Sequence, residues 1–363
     1  MLVNTPRIVS TLIADYLESS PSHGIQLCID SPTLQFSDAV GFTERGDSTE
    51  REAITIFHPM RIASNTKTFV AVAALRLYEQ GKLDLDASIE KYLLPEHQSL
   101  LQQSAYNIAA IAPRQLLNHT SGLFDYADSA AFMHAFVNTP KRHWTRSEQL
   151  QLAMTEGKPY GESGEVFRYS DTGYILLGEI IEHITQQDLG PALRSLINYK
   201  KLGLRTTWLE SVEPIPQGAL PLVHQYEGDL DTYDLDASSD IYGGGGLVST
   251  VGDMALFMRG LFEGKIFEDS TTLNTMLAPV NAKRGGPDYG VWKQVPGTYR
   301  LGIDAGRDNR VFSHKGHFGT LAAYIPELEM AISFSLNYSR QGKDSDYRDK
   351  LLGDILTLFD INP

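Results

Sequence analysis

The chain has 363 residues, 42% hydrophobic and 21% charged, enough to bury one large core or two interleaved lobes. Acidic side chains outnumber basic ones 45 to 31, a formal charge of -14, and no lysine- or arginine-rich block interrupts them; nucleic acid and anionic membrane surfaces are excluded in favour of a small molecule, short peptide or ester. A lone cysteine, Cys28, excludes an internal disulfide and a cysteine metal cage, and no apolar run approaches the roughly 20 residues of a membrane helix.

From Pro6 to Leu17, Ile8, Leu12, Ile13 and Tyr16 recur at helical spacing, and residues 24–30 and 34–41 then alternate. A helix followed by a hairpin is predicted, with Cys28 a buried strand residue. Residues 69–77 are apolar on nearly every face, predicting a helix at the centre of a core that Gly81 closes. Residues 114–123 read as a short helix running into a loop. Residues 144–201 read as mostly helical, strongest over 171–181, where Asp171 is placed to cap. The acidic, proline-containing stretch 214–240 reads as a surface excursion. Four glycines, 243–246, predict backbone held close to another segment or a ligand; a phosphate loop would need a lysine after them, and none follows.

In the last third, residues 299–303, 310–314, 320–325 and 330–336 are short, β-rich and separated by turn residues, predicting an antiparallel meander. Leu351, Leu352, Ile355, Leu356 and Leu358 then mark a closing helix. The expected fold class is α/β (α+β). One antiparallel sheet is assembled from both chain ends, 1–60 and 285–363, with a mainly helical lobe, 61–284, inserted between and an active site at the junction. The N-terminus lacks a basic region followed by an apolar stretch. The cytoplasm is the expected compartment, or the periplasm or exterior if a leader has been removed. Oligomeric state is not legible.

Three segments carry chemistry. Ser64 and Lys67 lie one turn apart ahead of the apolar helix, so the lysine projects from the serine's face and can hydrogen-bond it, and burial favours loss of the ammonium proton. A helix N-cap serine with an outward lysine is the competing reading, and Ser88 with Lys91 repeats the spacing on an exposed segment. Tyr169, two residues before Asp171, can pass a proton between serine, lysine and leaving group. The third segment, His314-Lys315-Gly316-His317, follows a predicted strand whose edge N–H groups suit a developing oxyanion. The two histidines alternatively read as metal ligands, but no acid or cysteine lies nearby in sequence, and neither metal nor organic cofactor is expected.

Together these segments resemble the penicillin-recognising serine hydrolases: class C β-lactamases, D-alanyl-D-alanine carboxypeptidases, D-aminopeptidases and related esterases. The order is Ser-x-x-Lys, then Tyr-x-Asn, then Lys or His with a glycine two residues on. Further likeness lies in 116–123, 169–174 and 245–250, and the whole spans about residues 8–358. The resemblance implies a β-lactamase/transpeptidase-like fold and hydrolysis of an amide or ester through a Ser64 acyl-enzyme. It makes Lys67 the proton acceptor or electrostatic partner and Tyr169 the proton shuttle. His314 takes the place of the family's lysine or histidine on the sheet edge, and the N–H groups of Ser64 and His317 form the oxyanion hole. Lys315, Gly316 and Asp171 line the substrate. The frame His317-Phe318-Gly319 has the same spacing. Asp171 stands where the family has asparagine; a carboxylate there raises the Lys67 pKa and favours substrates bearing an amine. A non-catalytic relative acting as a binding or scaffolding module is the alternative.

Overall fold

The computed structural model of this chain describes residues 4–46, 51–280, 282, 284–285, 299–306, 308–339 and 347–361. Residues 286–298, assigned above to the sheet lobe, lie outside the described residues.

Both chain ends build one five-stranded sheet. The first end supplies helix α1 (Thr5–Ser19), β1 (Gly24–Asp30) and β2 (Gln35–Gly41), and the second supplies β3 (Phe312–Gly316), β4 (Thr320–Ile325), β5 (Met330–Ser335) and helix α5 (Tyr347–Thr357). Strand order is β3-β4-β5-β1-β2 with every neighbour antiparallel; Gln26 faces Ser335 where the two termini meet. Period-two alternation sorts the side chains. Ile25, Leu27 and Ile29, with Leu321, Ala323, Ile325, Ile332 and Phe334, pack under α1 and α5. Cys28, Ala322, Tyr324 and Ala331 face the opposite way, into the larger core. Burial pushes the Cys28 thiol up to about 12.

That larger core is organised around α2 (Thr66–Glu79), whose residues from Thr66 to Leu77 are all buried. Helix α3 (Asp171–Thr185) packs against it, and α4 (Val251–Phe262) lies between it and the sheet, with Phe257 stacked on Phe69 at a centroid separation of 3.6 Å. A helix without a polar face needs such cover on every side, and each fully buried leucine on it contributes about 1.5–3 kcal/mol. The described residues contain no helix long and apolar enough to cross a membrane.

Two expectations change. Residues 299–303 form a tight turn, with an isolated bridge from Tyr299 to Asp304, where a strand was predicted. Gly302 adopts a φ of +80°, and a Cβ there would lie 2.2 Å from the Ala71 Cβ, so the turn seats directly on α2 and its carbonyl accepts from Thr68 Oγ1 at 2.8 Å. Residues 214–240 are not a mere surface excursion. Val223, Gln225, Thr232, Leu235 and Ser238 are buried, and Gln225 Nε2 donates to the carbonyls of Arg61 and Phe318, binding the segment to the edge of the cleft.

Candidate active site

Ser64 lies in a single tight turn, Ala63–Asn65, that runs straight into α2. Ala63 takes a φ of +45°, a conformation that strains a non-glycine residue by about 1–3 kcal/mol. The surroundings hold it: Asn65 Nδ2 donates to the Ile62 carbonyl (3.0 Å) and to Thr320 Oγ1 (2.9 Å), while Thr320 Oγ1 donates to the same carbonyl at 3.1 Å. Gly316 permits this closeness. A Cβ there would sit 2.2 Å from the Ile62 oxygen and 2.1 Å from Thr320 Oγ1, so only glycine lets edge strand β3 lie against the Ser64 turn.

Lys67 is completely buried and directs its three N–H donors at the Ser64 Oγ (3.0 Å), the Gly244 carbonyl (2.6 Å) and the Asp171 carboxylate. The capping alternative for Ser64 with an outward lysine is thereby set aside. Burial pulls the Lys67 pKa down, but Asp171, Tyr169 and Asp240 together hold it above its ordinary value. Burial therefore does not release the proton, contrary to the expectation from the apolar helix alone. Lys67 rests as an ammonium.

Tyr169 lies beside this group, its ring centroid 5.0 Å from Lys67 Nζ and its phenol under the influence of the Lys67 charge. Burial raises the phenol above its ordinary pKa despite the pull of Lys67, so it stays protonated at neutral pH. The His119 ring backs it at 4.2 Å. Asp171 opens α3 but caps nothing: Ser170 is the N-cap and makes no side-chain cap bond, and the Asp171 N–H donates to Asp125 Oδ2 at 3.0 Å. Its carboxylate is paired with Lys67. Burial and the nearby Asp171 and Asp128 hold the Asp125 carboxyl well above the usual carboxylate range.

The third segment divides along the strand. Phe312, His314 and Gly316 face inward; Lys315 points the other way and pairs with Asp349 of α5 at 2.5 Å, so its side chain lies outside the site. That is a correction forced by strand alternation. His314 is buried beside Lys67, and its Nδ1 lies 2.9 Å from the Lys315 carbonyl, which can only accept. Nδ1 therefore carries the hydrogen, and Nε2 accepts from the Tyr299 hydroxyl at 2.9 Å. Burial and the Lys67 charge lower the ring to about 3, so His314 is a neutral support beneath the site. His317 turns outward to Glu227 Oε2 at 2.8 Å, so the two histidines reach for different partners and do not converge as metal ligands. Among the described residues, no backbone carbonyl accepts from the N–H of Ser64 or of His317.

Beside the Ser64 turn lies a small cavity of about 20 Å³ lined by Arg61, Ala63, Leu235, Asp240, Gly246 and Phe318. His119, Asp125, Glu227, Asp240 and Tyr299 all join this neighbourhood, and sequence reasoning assigned none of them a role. For His119 a signal existed in the 116–123 segment, and for Asp240 in its place just ahead of the glycines. Asp125, Glu227 and Tyr299 had no local motif.

Residues 32–357 match the family model described as Beta-lactamase. The chain belongs to the Beta-lactamase family. It is similar to a Bacillus subtilis penicillin-binding protein, 23% identical over 97% of this chain and 75% of that one. It also resembles a putative D-alanyl-D-alanine carboxypeptidase of Salmonella paratyphi B, 26% identical over 84% of this chain and 76% of that one. Among solved structures, a D-amino acid amidase from Ochrobactrum anthropi SV3 complexed with D-phenylalanine superposes with a TM-score of 0.79 at 24% identity, covering 98% of this chain and 99% of the other. The family's β-lactamase/transpeptidase-like architecture is the one described above.

Proposed function

We propose that this serine hydrolase of the Beta-lactamase family cleaves an amide or ester bond through an acyl-enzyme on Ser64. The observation that carries the reading is the hydrogen bond from the buried Lys67 Nζ to Ser64 Oγ at 3.0 Å, with the Tyr169 ring 5.0 Å from the same nitrogen. With Lys67 charged and Tyr169 neutral, activation proceeds as a relay. Ser64 Oγ attacks the carbonyl carbon, its proton passes to the Tyr169 oxygen, and Tyr169 gives its own proton to the departing nitrogen or oxygen. Lys67 donates a hydrogen bond to Oγ throughout and stabilises the negative charge that develops there. The N–H groups of Ser64 and His317 receive the carbonyl oxygen; losing one such donor costs about 10²–10³ in rate. Water entering along the leaving-group path runs the relay in reverse and frees Ser64. The relatives named for D-alanyl peptides and for a D-amino acid amide support an amide of a small amino acid as substrate, and we place this chain among the amidases and peptidases ahead of the lactamases.

Turnover of D- and L-phenylalanine p-nitroanilides and of p-nitrophenyl butyrate by the parent, Ser64→Ala and Tyr169→Phe tests this. Ser64→Ala should abolish turnover, and Tyr169→Phe should lower kcat by about 10²–10⁴. A Ser64→Ala chain keeping more than about a tenth of the rate would exclude Ser64 as the nucleophile. A parent inert on the whole panel would favour the binding-module reading.

A further inference from the structure

We infer that Asp240 is the residue that receives a cationic amino group of the substrate, so that this site selects amino-acyl amides or esters with a free ammonium next to the scissile carbonyl. The inference rests on Ser64 being the nucleophile and adds the substrate class.

Position comes first. Asp240 lines the cavity that adjoins the Ser64 turn, together with Ala63 and Phe318. Gly244 and Gly245 make room for its carboxylate: a Cβ at 245 would lie 1.7 Å from Asp240 Oδ2, and one at 244 would lie 3.2 Å from Oδ1 and 3.4 Å from the Asp171 Cβ. The Gly244 carbonyl is itself held by Lys67. The four-glycine run thus brings the Asp240 carboxylate to the edge of the reacting group, close enough for the charges of Asp240 and Lys67 to shift one another.

The charge balance then singles it out. The cations around the cavity are committed elsewhere. Arg61 binds both oxygens of Glu210 and the carbonyls of Thr232 and Leu235, His317 binds Glu227, and Lys67 is paired with Asp171. Asp236 is occupied by Ser238 and faces His143. Among the described residues, no side chain or backbone group donates a hydrogen bond to the Asp240 carboxylate, and none forms an ion pair with it. A half-buried carboxylate without a partner, facing a cavity, is stabilised by an arriving cation. Burial and the Asp171 charge, opposed by Lys67, His317 and Arg61, hold Asp240 up at about 7, as expected for an acid that lacks a counter-ion of its own. The apolar cluster of Ala63, Leu235 and Phe318, with Phe136 against it, borders the same cavity.

The test compares phenylalanine p-nitroanilide with 3-phenylpropionyl p-nitroanilide, which lacks only the amine, using the parent and Asp240→Asn. The ratio of kcat/KM for the two substrates should fall about 10- to 100-fold in Asp240→Asn, the loss of one charge-assisted hydrogen bond. In the parent the same ratio should fall as pH drops below about 7 and Asp240 takes up a proton. An unchanged ratio, whether both rates drop together or neither does, overturns the inference. Binding of phenylalanine amide and of 3-phenylpropionamide to Ser64→Ala and to Ser64→Ala/Asp240→Asn, measured by calorimetry, repeats the comparison without turnover. A preference for the amine in the first chain that is lost in the second supports the assignment, and equal binding in both chains refutes it. Failure of the nucleophile reading shows separately, as turnover surviving in Ser64→Ala.

Discussion

Replacing Asp171 by asparagine perturbs the one ion pair on which the charge state of the site depends. Lys67 is completely buried and Asp171 is 18% exposed, so their attraction is little screened by solvent. Removing one partner of a buried pair costs about 3–5 kcal/mol if the other stays charged. Two effects limit the loss here. The amide oxygen introduced by the substitution still accepts a hydrogen bond, worth about 1.5–3 kcal/mol from a charged donor. Lys67 can also shed its proton, which from the ordinary value of 10.5 costs at most about 5 kcal/mol at pH 7, less once burial is unopposed. The expected destabilisation is about 2–4 kcal/mol at pH 7.

Its pH dependence follows from linkage. In the parent, Lys67 is raised above its unfolded value, so its stabilisation is fully present below 10.5 and is lost only as pH climbs through the still higher folded value. In Asp171→Asn the folded value drops. The penalty then shrinks as pH rises toward 10.5 and the unfolded lysine also loses its charge. Urea unfolding of both chains at pH 7 and pH 10 should show the gap closing by about 1–2 kcal/mol. A gap under about 0.5 kcal/mol at pH 7, or one of equal size at both pH values, would refute the claim that Asp171 holds Lys67 charged.

Gly316→Ala should lower kcat/KM by about 100-fold or more and destabilise the fold by about 1–3 kcal/mol, because its Cβ collides with backbone at Ile62 and displaces the Ser64 turn; steady-state kinetics with a thermal melt checks both. Lys315→Ala should keep kcat/KM within about twofold of the parent, since the side chain lies on the α5 side of the strand, paired with Asp349; a tenfold loss in the same assay would place it back in the site. His314 is depressed to about 3, so its contribution to stability is present above 6.5 and is lost as pH falls toward 3. In His314→Asn the decline of unfolding free energy between pH 6 and pH 4 should be shallower by up to about 1.4 kcal/mol per pH unit, one proton's worth.

Much of this architecture was legible because it rests on local periodicity. The apolar run 69–77 could only be a core helix, the alternation in 24–30 and 34–41 placed the first hairpin, and the β-rich segment 320–325, bounded by turn residues, placed a strand of the meander. Gly302 hid the turn at 299–303, since a sequence of Tyr, Arg, Leu and Ile reads as extended until α2 is known to press against it. The strand before His314 begins at Phe312, and its alternation sends Lys315 outward, a result available from period two once the register was fixed by pairing with Thr320. Ser64, Lys67 and Tyr169 were singled out because each opens or precedes a strong helix. Asp240, Glu227 and Tyr299 were not assigned roles, because their parts arise only when segments more than 70 residues from Ser64 fold onto its turn.

The most direct test is to mix the protein with an excess of a penicillin or an activated ester, quench in acid within seconds, and read the intact mass before mapping the peptide. The account predicts a single acyl adduct on the peptide bearing Ser64, absent from Ser64→Ala. Hydrolysis of the reagent with no adduct in the parent, or an adduct on any other residue, would contradict it.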